Sequence, residues 1–242
     1  MRRAVLELEN AASAAAERPL FDLDLTLGEG DAVVVLGLPG AGKTSLLRMI
    51  AGLDALSTGV LRLFGEDLAT LSFAAARSLR DRVAVVFERG GIWANRTTTE
   101  NLVLPVAYRT NVPIDALAAS PRLREILDAL GLGDVSDRPT AALDDSERRR
   151  VLLARALFAE PEILLFDEPQ SGLSRAHQRA IASLLEVERR QRALTILFTD
   201  NDGRVEPYEA DRPIVMHERR IVPGAVRLPE RAMTELKRET AP

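Results

Sequence analysis

Along the chain the spacing of apolar residues switches between two repeats, and each switch marks an element. Leu23, Leu25 and Leu27 alternate with Asp22, Asp24 and Thr26, the repeat of a half-buried strand. A turn follows at Gly28, Glu29, Gly30 and Asp31. Residues 32–36 form a continuous apolar run, as in a parallel strand buried on both faces. Beyond residues 37–44, Leu46, Leu47, Ile50 and Leu53 take helical spacing. Further strands are predicted at 60–64, 83–87, 163–166 and 194–198, and a closing hairpin pairs 214–216 with 221–222. Helices are predicted over 146–158 and 176–192, and a helical stretch over 106–139 is punctuated by Pro113, Pro121 and Gly131. Strands alternating with helices predict an α/β fold with a mostly parallel sheet.

The segment between the second strand and its helix carries the chemistry. Gly37-Leu38-Pro39-Gly40-Ala41-Gly42-Lys43-Thr44 meets the pattern G-x-x-x-x-G-K-[ST]. Glycines let the backbone fold tightly enough for several N–H groups to face one anion. The helix that follows presents its positive dipole end to the same anion, and Ser45 joins residues 37–44 as an expected nucleotide contact. Lys43 would reach the β- and γ-phosphates of a nucleotide, and Thr44 would offer its hydroxyl to Mg²⁺. Residues 163–166 end in Asp167 and Glu168. At a strand end Asp167 can face that Mg²⁺, and Glu168 can polarise an attacking water.

Composition narrows the setting. The 242 residues suit one large α/β domain or two small lobes sharing a core. There is no cysteine, which excludes disulfides and thiolate metal sites. A net charge of −4 argues against nucleic acid as a partner. No apolar run approaches the ~18 residues of a membrane span, and the N-terminus lacks the apolar core of a signal peptide, so a cytoplasmic location is expected. Lysine occurs only at Lys43 and Lys237 among abundant arginines, which singles out Lys43 as a place that needs a compact ammonium.

Together these stretches resemble the ATP-binding-cassette ATPases, from about residue 5 to residue 224. The resemblance rests on the phosphate loop, the run from Leu46 to Leu53 with Gly59, and the stretch from Thr98 to Leu102. It continues through Val151 to Leu157, Glu160-Pro161 with the acidic pair and Pro169, and Ser171-Gly172-Leu173. It implies a P-loop NTPase fold with an antiparallel β portion and a helical subdomain near 105–155. One nucleotide-binding domain would span 1–228, followed by a charged tail at 229–242. It further implies ATP and Mg²⁺ as ligands, a membrane permease as partner, and a second cassette, either an intact heteromeric partner or a copy of this chain. The chain would then sit peripherally on the inner face of the membrane. Within the family, the stretches from Glu88 to Trp93 and from Asn101 to Val106 resemble ATPase subunits of bacterial lipid transporters of the mammalian-cell-entry type.

Several family positions are altered. The Q-loop glutamine falls at Glu88, which can still accept from a metal-bound water or bind Mg²⁺ but cannot donate as an amide does. The signature Leu-Ser-Gly-Gly-Gln falls on Leu143-Asp144-Asp145-Ser146-Glu147, so Asp144 and Asp145 would face the γ-phosphate held by a second cassette. Like charges about 4 Å apart repel by roughly 4 kcal/mol at an effective dielectric of 20. The same residues make a good helix start, with Asp144 as N-cap and Glu147 completing a capping box. The switch histidine falls at Asp200 and the D-loop aspartate at Ser174. No aromatic stands near residues 14–16, where the family stacks adenine. His177 and His217 read as surface residues. Trp93 reads either as an interface anchor or as a core residue. The resemblance thus supports a transporter ATPase using Glu168 and Lys43, or an ATP-binding regulatory or structural half of an asymmetric pair. A third reading, a cassette with no membrane partner, is disfavoured because such cassettes usually come paired or with long insertions.

Overall fold

The computed structural model describes residues 2–14, 19–88, 90–201 and 207–225. The predicted tail at 229–242 lies outside them, as do residues 15 and 16 of the position expected to stack adenine. Six strands form one sheet in the order β10-β9-β3-β8-β7-β6. They are β3 (Ala32–Leu36), β6 (Val83–Val86), β7 (Ile163–Phe166), β8 (Thr195–Asp200), β9 (Arg212–His217) and β10 (Arg220–Val222). All neighbours pair in parallel except β9 with β10, the predicted hairpin. A second, antiparallel sheet has the order β2-β1-β4-β5, from β1 (Ala4–Ser13), β2 (Leu23–Gly28), β4 (Leu56–Leu63) and β5 (Glu66–Asp67).

The continuous apolar runs follow from burial on both faces. On β3, Val34 and Leu36 enter one core with the helical lobe, while Val33 and Val35 enter a second core with the antiparallel sheet. On β7, Leu164 and Phe166 take the first core and Ile163 and Leu165 the second. Each such side chain stabilises the fold by about 1.5–3 kcal/mol on full burial.

Two helices differ from their predicted bounds, and a third, α2 (Phe73–Arg80), was not predicted. The helix after the loop, α1 (Lys43–Ile50), stops short of Leu53. Gly52 turns the chain at φ +70°, and Leu53 is exposed. Spacing alone cannot see that stop, because a helix often ends at a glycine in the left-handed region. The helical stretch predicted from residue 106 begins earlier, at Thr98. Its first helix, α3 (Thr98–Thr110), follows a capping box in which Glu100 N donates to Thr97 Oγ1 at 3.1 Å and Thr97 N to Glu100 Oε2 at 2.8 Å. That Thr-x-x-Glu signal stood in the sequence, and Pro105 within the helix masked it. Two shorter helices, α4 (Ile114–Ala118) and α5 (Pro121–Ala129), complete the stretch that Pro113, Pro121 and Gly131 punctuate.

The helix α6 (Asp145–Phe158) starts as its sequence suggests. Glu147 N donates to Asp144 Oδ1 at 2.7 Å, and Asp144 N donates to Glu147 Oε2 at 2.9 Å. α7 (Arg175–Arg192) is capped by Ser174, whose hydroxyl accepts from His177 N at 3.2 Å. Asp144→Ala is therefore expected to lower stability by about 1 kcal/mol, and Asp144→Ser by much less, since serine caps comparably. Urea midpoints at unchanged slope measure both; equal losses would show that the cap is not what Asp144 contributes.

Candidate functional site

The glycines of the phosphate loop are set by close approach. A Cβ on Gly37 would meet Met216 O at 2.7 Å, and one on Gly42, at φ +100°, would meet Leu20 Cδ2 at 2.6 Å. The loop turns on Ala41 N donating to Leu38 O at 3.0 Å, and Gly37 N donates to Asp200 O at 3.2 Å. Loop and α1 then open a cleft of about 170 Å³ lined by Pro39, Gly40, Lys43, Ser45, Glu168 and Asn201, among others.

Lys43 is buried at 5% exposure. Its ammonium donates to Gly37 O at 2.7 Å, Leu38 O at 3.1 Å and Asn201 Oδ1 at 2.5 Å. Asn201 in turn donates through Nδ2 to Glu168 Oε1. One amide thus bridges the cation and the carboxylate that the sequence selects. Asp167, 3% exposed, accepts two hydroxyls: Thr44 Oγ1 at 2.9 Å and Thr199 Oγ1 at 2.7 Å. Thr199 Oγ1 also accepts from Glu168 N at 2.9 Å.

Glu168 adopts φ +47°, a left-handed conformation that costs a non-glycine residue roughly 1–2 kcal/mol. Both of its backbone groups are held. Its N–H is taken by Thr199, and its carbonyl accepts from Arg149 Nη2 at 2.7 Å. Arg149 also donates to Phe87 O at 2.6 Å and to Asp167 O. Burial pulls its pKa down, against the pull of Asp167 and Glu88. The Glu168 carboxyl is pushed above the ordinary 4.5 chiefly by burial; Lys43 opposes the rise, and Glu88 adds to it.

The remaining predicted positions separate. Glu88 is exposed, and its carboxylate accepts from Ser171 Oγ at 3.1 Å. Among the described residues, Glu88 does not close with Asp167 and Glu168 into a metal-holding group. Asp200 ends β8 and is buried, whereas the next residue, Asn201, lines the cleft. Asp145 is exposed at the start of α6 and pairs with Arg148 at 2.7 Å. His177 is not a free surface residue. It is half-buried, with Nδ1 3.2 Å from Ser146 Oγ, so α7 is tied to the start of α6. His217 is partly exposed, 3.8 Å from Glu218. Trp93 is 44% exposed, with Arg155 over its ring at 5.8 Å. Pattern reading missed Asn201, Thr199 and Arg149. The first two are single polar residues at a strand end, and the third sits in an arginine run that reads as a solvated face.

The chain matches the family model described as ABC transporter over residues 20–171. A methionine import ATP-binding protein of Corynebacterium efficiens is 32% identical over 203 residues, covering 84% of this chain and 56% of its own length. Another, of Rhodopseudomonas palustris, is 36% identical over 203 residues, covering 84% of this chain and 54% of its own. The chain thus spans about half the length of these relatives. A dimeric ATP-binding cassette in a post-hydrolysis state with ADP and Pi superposes with a TM-score of 0.79 at 22% identity, covering 89% of this chain and 96% of that one. An ATP-binding subunit of an ABC transporter gives 0.78 at 21% identity, covering 97% and 92%. At such identities these likenesses establish the fold.

A carbon-detected NMR titration of Glu168 is expected to give a midpoint above 4.5. Glu88→Gln should move it down by removing a negative neighbour, and Lys43→Ala should move it up by removing a positive one. Because the folded pKa lies above the unfolded one, this carboxyl adds stability below pH 4.5, which is lost as the pH rises through the folded value. A midpoint at or below 4.5 would contradict the burial of the charge.

Proposed function

The chain belongs to the ABC transporter ATPase family, and on that premise we propose that it is the ATP-binding subunit of a membrane importer in which Glu168 activates the attacking water. ABC ATPases bind ATP with Mg²⁺, and the residues present fit that pair. Thr44 and Asp167, 2.9 Å apart, are oxygen donors of the kind Mg²⁺ takes together with phosphate and water. The loop at Gly37 and Gly42 has no room for side chains, so backbone can approach a phosphate closely. Bound Mg²⁺ neutralises charge on the phosphates.

The chain's own groups supply the rest. Lys43 stands buried at the floor of the cleft as the cation for the terminal phosphates. Glu168 accepts the water proton, and its raised pKa makes it a better base than an ordinary carboxylate. Asn201 holds the two in register. That bridge is the observation that carries the reading.

No helix among the described residues is long and apolar enough to cross a membrane. A groove of about 800 Å³ runs between the sheet and the helical lobe beside Trp93, Tyr108, Arg77 and Arg155. We assign it to the permease, through which the chain sits on the inner face of the membrane. For the cargo, the short stretches around Glu88 and Asn101 speak for lipid, whereas the relatives' names speak for methionine. The longer matches favour the latter.

Phosphate release with Mg-ATP, run beside equilibrium ATP binding, tests the reading. Glu168→Gln is expected to lower turnover by at least ~10²-fold with binding retained, and Lys43→Ala to abolish binding. Turnover indifferent to Glu168 would refute the assignment of the base.

A second reading is carried by Asp144 and Asp145 at the start of α6. In this family that helix start faces the phosphate held by a second cassette, and two carboxylates there repel it. The working partner is then a different, intact cassette, and this chain's own turnover is slow. Replacing Asp144 and Asp145 by serine and glycine should increase the ATP-dependent dimer seen by light scattering. An unchanged mass would remove the repulsion, and a native complex holding two copies of this chain alone would remove the heteromeric pairing.

A further inference from the structure

Arg149 and Arg150 are the buried arginines among the described residues, and they reach in different directions. Arg150 stays within the helical lobe, donating to Leu130 O at 2.7 Å and Gly131 O at 2.9 Å. Arg149 leaves it. Its guanidinium donates to Phe87 O, just after β6, and to Asp167 O and Glu168 O, just after β7. Every one of these acceptors is main chain. The guanidinium also lies 5.2 Å from the centroid of the Phe166 ring. A buried charge is costly unless its hydrogen bonds are made, and an apolar side chain would fill the same core without that cost. Among the described residues, Glu168 is bonded by Thr199 and Asn201 at the end of β8 and by Ser171 N in its own turn. Arg149 alone reaches it from the helical lobe.

Glu168 sits at φ +47°, where a non-glycine residue stays only if its neighbours hold it. Its N–H is tied to β8 and its carbonyl to α6, so the aim of its carboxylate depends on both ties. A shift of the lobe against the sheet would draw Arg149 off the Glu168 carbonyl and free the residue to leave the left-handed region. We propose that Arg149 is a positioning residue through which the helical lobe sets the backbone conformation of Glu168, and so whether its carboxylate faces Asn201 and the cleft. This rests on the reading of Glu168 as the base and names what controls that base. A lobe docked on the sheet keeps the carboxylate in place; a lobe displaced lets it turn away.

Two readouts on the full chain test this: steady-state phosphate release with Mg-ATP, and the backbone carbon NMR shifts of Glu168, which report its conformation without any turnover. Arg149→Gln is expected to move the Glu168 shifts out of the left-handed range and to lower kcat by about 10²-fold, the loss that follows a small misplacement of a reacting group, with KM and ATP affinity unchanged. Arg149→Lys keeps the charge but not the planar fork, and should restore part of both readouts. Arg150→Gln removes bonds inside the lobe only and should leave the Glu168 shifts as they are. Unchanged Glu168 shifts in Arg149→Gln, the same change in Arg150→Gln, or ATP binding lost in step with turnover would overturn the positioning role. Wild-type turnover indifferent to Glu168 would overturn the base reading instead, while the shifts still decide whether Arg149 holds Glu168.

Discussion

Everything at the site depends on the register of three parallel strands. Leu36 lies opposite Asp200, and Phe166 lies opposite Phe198. The residues that leave β3, β7 and β8 therefore emerge on one edge of the sheet. The phosphate loop follows Leu36, Asp167 and Glu168 follow Phe166, and Asn201 follows Asp200. A shift of one residue in any pair would turn each side chain to the opposite face. The continuous apolar runs of β3 and β7 prevent it, since their alternate residues enter two different cores. Packing on both faces thus sets the spacing of the polar groups at the edge.

A second constraint acts on the edge itself. Asp167 and Glu168 are adjacent carboxylates, and a polyphosphate would add more negative charge. Arg149 offsets part of this from below. It reaches the carbonyls of Phe87, Asp167 and Glu168 from α6, so one buried cation joins the segment leading to Glu88, the acidic pair and the helix that starts at Asp144. Hydrogen bonds to a charged group are worth about 1.5–3 kcal/mol each, enough to hold Glu168 in its left-handed conformation. Strain of this kind persists only where neighbours over-determine it, and it gathers at functional positions.

The fold and the core of the site were legible because each rests on a repeating pattern. The phosphate loop needs glycines at fixed spacing and an apolar strand before it, and all of these stand in the sequence. Asp167 and Glu168 were legible from the four apolar residues before them. Asn201 was not: family alignment directs attention to Asp200, yet Asp200 ends the strand buried while the next residue reaches the cleft. Arg149 and Arg150 were hidden by their neighbours, since an arginine run looks solvated. The helical turn faces Arg148 outward and buries the other two.

The bridge at Asn201 has a consequence for how the site opens. An amide accepts from Lys43 through its oxygen and donates to Glu168 through its nitrogen at the same time. A direct ammonium–carboxylate pair in that partly buried cleft would be held by a strong charge–charge attraction that an entering phosphate would have to break. With the amide interposed, the two charges stay apart, and each is held by a hydrogen bond to a neutral group, individually worth about 0.5–3 kcal/mol. A phosphate can then take Lys43, and a water Glu168, by exchanging one hydrogen bond for another. A neutral histidine could make the same two bonds, but it would change charge near pH 6.5. Asparagine does not titrate, so the link between cation and base holds at any pH where Glu168 is ionised. The Glu168 carboxyl, raised chiefly by burial, is the group at this site whose charge the surroundings shift.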